Sequence, residues 1–208
     1  MRKLFFLLSI CISLQAFGQE NAEQFTEEAK LFYEKNDYSS ALIMLGRALE
    51  KDKNFAKAYY VRGIIKKRLG DFTGAMSDFE SAIKIKSDYL EAYVARGDTR
   101  YATQNFEGAI EDYTYILELD DDMLDIYYKR GQAKLMLSSY SEAIQDCDKI
   151  LEQNPKNVDA YFLRGVIKVE YGLLDSGCRD LSVAGEMGDL RAYDEIRKRC
   201  GAIKYNKD

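Results

Sequence analysis

The stretch AYYVRGIIKKRLGDF, Ala58 to Phe72, reads as a helix running into a turn, with a cation inside the stripe that should be buried. The spacing of Tyr59 and Gly63 is helical, and LGD at Leu69–Asp71 interrupts it before the aromatic Phe72. The cation is Arg62, and it returns at a constant interval as Arg96, Arg130 and Arg164.

That interval organises almost the whole chain. From Ala22 onward the sequence divides without insertion into blocks 22–55, 56–89, 90–123, 124–157 and 158–191. The fourth position of the blocks holds Phe25, Tyr59, Tyr93, Tyr127 and Tyr161, and the eighth holds Ala29, Gly63, Gly97, Gly131 and Gly165. Position 17 holds Tyr38, Phe72, Phe106, Tyr140 and Leu174, and position 20 holds Ala41, Ala75, Ala109, Ala143 and Gly177. Each block is thus a helix, a short turn and a second helix. The small residues at positions 8 and 20 let the paired helices approach where a larger side chain would overpack.

This pattern resembles that of the tetratricopeptide repeat family, carried here by Tyr59, Gly63, Ala75, Phe79 and Ala82, or by Tyr93, Gly97, Ala109 and Tyr113. The resemblance implies an all-α fold: a right-handed α-solenoid of five helix-turn-helix repeats. The chain departs from the family pattern in having only Pro155 at the usual proline position and in losing the second-helix signals after Tyr171. A solenoid must close its last apolar face. DLRAYDEIRKRC, Asp189 to Cys200, reads as the capping helix, with Asp189 as N-cap and Gly201 as stop.

Composition agrees with a helical, soluble chain. Among 208 residues there are 16 Tyr and a single Pro, with neither Trp nor His. The segment 1–18 has the form of a cleavable signal peptide: Arg2 and Lys3, an apolar run from Leu4 to Leu14, then Ala16-Phe17-Gly18. The run is about half of the roughly 20 residues that span a bilayer, so the expected mature chain, 19–208, has no membrane span and is exported to the periplasm or an envelope surface. Removal of the segment takes the formal net charge from −5 to −7, which disfavours nucleic acid and anionic lipid as partners. Cys11 leaves with it. Of Cys147, Cys178 and Cys200, a Cys178–Cys200 bridge locking the cap is expected, with two buried free thiols as the alternative.

The arginines have acidic counterparts in phase. Position 23 holds Asp78, Asp112, Asp146 and Asp180, whereas the first block has Glu28 at position 7 and Met44 at position 23, lacking both members together. A guanidinium between packed helices requires a carboxylate. Pairing within blocks leaves no member single, so the expected bridges are Arg62–Asp78, Arg96–Asp112, Arg130–Asp146 and Arg164–Asp180.

No reaction centre is legible. Without His there is neither a Ser/His/Asp nor a Cys/His arrangement. The cysteine spacings suit no zinc knuckle, and no glycine-rich phosphate loop is present. The run ELDDDMLD around Asp120–Asp122 lacks the ligand alternation of a calcium loop. Glu111 and Asp112 are adjacent on a helix and point apart. No catalytic residue, cofactor or metal is expected.

What remains is binding. In the resembled family, first-helix positions 2, 5, 9, 12 and 13 line a concave groove. Here they imply a partner surface of Tyr60, Ile64, Val94, Tyr101, Tyr128, Gln132, Leu135, Met136, Phe162 and Val166. Family members that clamp a C-terminal carboxylate have Lys and Asn at positions 5 and 9. Position 5 here reads Thr26, Tyr60, Val94, Tyr128 and Phe162, and position 9 reads Lys30, Ile64, Asp98, Gln132 and Val166, so that clamp is absent. The expected function is capture of a partner protein's peptide segment or helix in the groove. The alternative is a scaffold subunit, including a homo-oligomer, that associates through repeat edges.

Overall fold

A computed structural model describes residues 21–201, and the signal-peptide reading of residues 1–18 lies outside them. Among the described residues there are eleven helices and no strands. After α1 (21–34) come α2 (Tyr38–Lys51), α3 (Ala56–Arg68), α4 (Phe72–Ile85), α5 (Leu90–Ala102) and α6 (Phe106–Leu119). They are followed by α7 (Leu124–Met136), α8 (Tyr140–Gln153), α9 (Val158–Glu170), α10 (Leu174–Glu186) and α11 (Leu190–Arg199). The first helices α3, α5, α7 and α9 each begin at position 1 of their block, and the second helices α2, α4, α6, α8 and α10 at position 17. The class is an all-α helical repeat solenoid.

The turn inside each repeat is built the same way five times. Asn36, Gly70, Gln104, Ser138 and Gly172 all adopt positive φ, between 58° and 87°, ending the first helix in a left-handed residue. The next residue caps the second helix: Asp37, Asp71 and Asn105 accept the backbone N–H of Ser40, Gly74 and Gly108 at 3.1, 2.8 and 3.0 Å. Ser139 and Leu173 stand at the same place without a side-chain cap bond.

The chain forms two compact units, one through Thr99 and one from Arg100 onward. In the first, Ala29, Ala41, Leu45, Ala48 and Ile65 are fully buried, and Phe79 packs with Ala75 and Ala95. In the second, α6 to α11 pack in succession. Its core contains Ile150 with Ala160, then Cys147 with Leu163 and Ile167, then Leu181 with Ala184 and Ala192.

Close approach of the helix pairs depends on what stands at position 24. A Cβ added at Gly63 would lie 2.5 Å from the Phe79 ring. At Gly165 it would meet the Leu181 side chain at 2.8 Å and the Gly177 carbonyl oxygen at 3.0 Å. In the fourth repeat the small Cys147 replaces the larger residue, and a Cβ on Gly131 would meet nothing closer than 3.6 Å. The same substitution therefore has opposite signs in adjacent repeats. Gly131→Ala is expected to stabilise by roughly 0.5–1 kcal/mol through helix propensity. Gly165→Ala is expected to destabilise by about 1–3 kcal/mol through overpacking against backbone. Urea unfolding midpoints of the two variants check this.

Candidate interaction surface

The structure places Asp78, Asp146 and Asp180 of position 23 each against two cations. Arg62 Nε and Nη2 donate to Asp78 at 3.0 and 2.6 Å, and Lys66 Nζ lies 2.8 Å from the same carboxylate. Arg130 grips Asp146 at 3.1 and 2.7 Å with Lys134 at 2.8 Å. Arg164 grips Asp180 at 2.8 and 2.8 Å with Lys168 at 2.8 Å. Asp112 is met by Arg100 at 3.1 Å. Arg96 belongs to the first unit and Asp112 to the second, and their bridge stands as an expectation.

The second cation, at position 11, follows the same repeat period (Lys66, Arg100, Lys134, Lys168), a signal the reading of the arginines alone overlooks. Each arginine also stacks on the tyrosine of position 4 in its own block. Arg62, Arg96, Arg130 and Arg164 lie 5.2 to 5.4 Å from the ring centres of Tyr59, Tyr93, Tyr127 and Tyr161. In the second unit the outer guanidinium nitrogen reaches the previous repeat: Arg130 Nη1 donates to Thr114 at 3.1 Å and Arg164 Nη1 to Asp148 at 2.5 Å. Arg62, Arg130 and Arg164 are thus each engaged by a carboxylate and a ring.

The faces of the first helices are different. In the first unit, Tyr60, Ile64, Lys67, Glu91, Val94 and Asp98 surround a cleft of about 230 Å³. The Tyr60 ring is half-buried, 5.2 Å from that of Tyr89 and 6.2 Å from that of Phe79. In the second, Leu124, Asp125, Tyr128, Lys129, Asn157 and Asp159 surround one of about 270 Å³. Tyr60 and Tyr128 are both position 5, and Glu91 and Asp159 are both position 2 of the following repeat. Burial raises both phenol pKa values, and the neighbouring carboxylate adds to the effect. Tyr89 is half-buried, and that burial, with the Glu91 carboxylate, pushes its phenol up to about 12.

Other residues expected on this surface are engaged elsewhere. Leu135 packs on the Ala143, Cys147, Leu163 and Ile167 cluster. The ring of Tyr101 lies 5.3 Å from that of Phe106, on its own repeat's second helix. Phe162 and Val166 pack into the cap cluster with Leu181, Ala192 and Ile196. Gln132 is half-buried on α7, and Met136 is exposed at its end. The lining at the clefts therefore narrows to Tyr60, Ile64 and Val94 in one unit and Tyr128 in the other.

The cap is held by three devices. Cys178 and Cys200 form a disulfide with Cα atoms 6.0 Å apart, while Cys147 is a free, buried thiol whose pKa burial pushes up to about 12. The Tyr193 hydroxyl donates to the Gly185 carbonyl at 3.1 Å. Arg191 spans α9 and α11: its Nη2 donates to Asp159 at 2.5 Å and to Asp189 at 2.7 Å, and its guanidinium sits 4.5 Å above the Phe162 ring. Asp189 also caps α11 through the Arg191 N–H at 2.9 Å.

The tetratricopeptide repeat model matches residues 26–89 and 94–158, more than half of the chain, and the protein belongs to that family. Among similar solved structures is a tetratricopeptide repeat protein from Parabacteroides merdae ATCC 43184, with 25% identity, 88% of this chain and 74% of that one covered, and a TM-score of 0.80. YrrB, a TPR protein with an unusual peptide-binding site, has 21% identity over 86% of this chain and 93% of its own, with a TM-score of 0.77. MamA from Desulfovibrio magneticus RS-1 has 17% identity over 80% and 94%, with a TM-score of 0.74. No curated protein matches the sequence.

Asp146→Ala, which strands two cations, is expected to cost about 3 kcal/mol of stability. Asp148→Ala, at a half-exposed carboxylate, is expected to cost less than about 1 kcal/mol; thermal unfolding of both variants tests the contrast. Reduction of the native protein is expected to add two hydrogens per molecule by mass and, by opening the loop from Cys178 to Cys200, to cost about 2–4 kcal/mol.

Proposed function

We propose that the protein is a non-catalytic interaction module of the cell envelope that takes an extended segment or helix of a partner protein on the faces of its first helices. The observation that carries this reading is the repetition of one arrangement in both units: a half-buried position-5 tyrosine at an open cleft, beside a carboxylate from the next repeat. Aromatic rings with one apolar face and one polar tip are favoured contact residues at protein interfaces. Membership of a family whose fold serves protein interaction supports it, as does the likeness to a peptide-binding relative. The non-catalytic part rests on the absence of His from the chain and on Cys147 being buried with a pKa near 12, which leaves negligible thiolate at neutral pH. Export is supported by the signal-like segment 1–18 and by the Cys178–Cys200 bridge, which suits an oxidising compartment.

A second reading, association of the chain with itself or with a scaffold through its first repeat, is favoured by Leu31 and Ile43. Both are 57% exposed in the block that lacks the Arg–Asp pair.

Capture from the native envelope fraction separates the two. Baits are the wild-type protein, Tyr60→Ala with Tyr128→Ala, and Leu31→Glu with Ile43→Glu. Phe162 is left intact because its ring supports the cap. The proposal expects a partner retained by wild type and by the first-repeat variant, but reduced at least about tenfold with the tyrosine variant. A partner, or only the protein itself, that is lost with the first-repeat variant and kept with the tyrosine variant supports the scaffold reading instead.

A further inference from the structure

Arg191 shows how this repeat surface holds a guanidinium. Its seat is made by Asp159 and Phe162, positions 2 and 5 of the fifth repeat. Tyr128, position 5 of the fourth, lines the cleft to which Asp159 also belongs. Asp159 and Asp189 pair with the cation while the Phe162 ring stacks on it.

Moving back two repeats turns Tyr128, Asp159 and Phe162 into Tyr60, Glu91 and Val94. The valine removes one ring, and Tyr60 with Tyr89, 5.2 Å from it, supplies another aromatic wall. Val166 becomes Asp98, which adds a second carboxylate to the cleft, against the single cation Lys67. Glu91 lines the same cleft as Tyr60, so a cation seated on that ring has a carboxylate within the cleft. The formal charge of the chain, −5 and more negative without residues 1–18, selects for basic partners on approach.

We propose that the cleft between α3 and α5 is a subsite for an arginine side chain of the protein's partner, its guanidinium stacked on Tyr60 and paired with Glu91. This rests on the reading that the first-helix faces bind a partner and names the chemistry recognised there. Arginine fits better than lysine because a planar, weakly hydrated fork can stack on a ring and pair with a carboxylate at once. Ile64 and Val94 offer aliphatic contact to the residues flanking it.

The test is an NMR titration of the full mature chain with acetyl-Leu-Arg-Leu-amide, beside peptides with lysine or the neutral isostere citrulline in place of arginine. Expected are saturable shifts at Tyr60, Ile64, Glu91 and Val94 with the arginine peptide, about tenfold weaker binding with citrulline, and the same loss in Glu91→Gln. Glu91 is exposed, so the variant should unfold at the wild-type temperature. Equal binding of the citrulline peptide, shifts centred elsewhere, or a Glu91→Gln protein that binds like wild type would overturn the assignment. Envelope capture distinguishes this failure from that of the parent reading. Loss of the partner with Tyr60→Ala, but not with Glu91→Gln, would remove the arginine subsite and leave first-helix recognition standing.

Discussion

A carboxylate buried between two helices is tolerable only when cations and donors surround it, and much of this structure follows from meeting that condition repeatedly. Asp78, Asp146 and Asp180 are each held by an arginine from position 7 and a lysine from position 11 of the same first helix. The two cations are one helical turn apart, so they present to the same carboxylate. The arginine is in turn flattened on the tyrosine of position 4. One aspartate thus fixes the rotation of the first helix against the second, and with it the direction in which positions 5 and 9 face. Removing the aspartate strands two charges, whereas removing one lysine leaves a satisfied pair, so the grip is asymmetric in what it tolerates.

That arrangement separates structure from the proposed recognition on a single helix. The arginines, despite their number, are committed to carboxylates, rings and, in the second unit, to Thr114 and Asp148 of the preceding repeat. The surface proposed for a partner lies one residue past two of the stacked tyrosines, at Tyr60 and Tyr128. At the C-terminal end the chain uses that surface itself: α11, tied by Cys178–Cys200 and by Arg191, covers Phe162 and Val166. Closing the solenoid draws on the same positions as the proposed partner binding, and in the last repeat closure takes them.

Most of the architecture was legible because a single period repeats residue type, burial and helix start together. The helix pairs, the cap and the within-repeat Arg–Asp geometry could be argued from spacing alone. The left-handed turn residue is a glycine only at Gly70 and Gly172; Asn36, Gln104 and Ser138 adopt the same φ at the same place in their repeats. Lys66, Lys134 and Lys168 carry the same periodic signal as the arginines, but spacing alone does not show that they turn onto the same carboxylate. The partner surface was the least legible part. A helical face tells which residues share a side, but not that Tyr101 meets Phe106, that Leu135 joins the core or that the cap covers Phe162. Those depend on neighbours supplied by other helices. Arg191 falls at the last position of the fifth block, where the repeat pattern assigns no role.

The central claim is that the first-helix faces recognise a partner while the second helices and the Arg–Asp clusters only hold them in place. Hydrogen exchange of the captured complex against the free protein tests it directly. The account predicts slowed exchange in α3 and α7 around Tyr60 and Tyr128, and at Glu91 to Val94 of α5, with α4 and α8 unchanged. Slowed exchange confined to α1 and α2, or to the second helices, with α3, α5 and α7 unaltered, would contradict it.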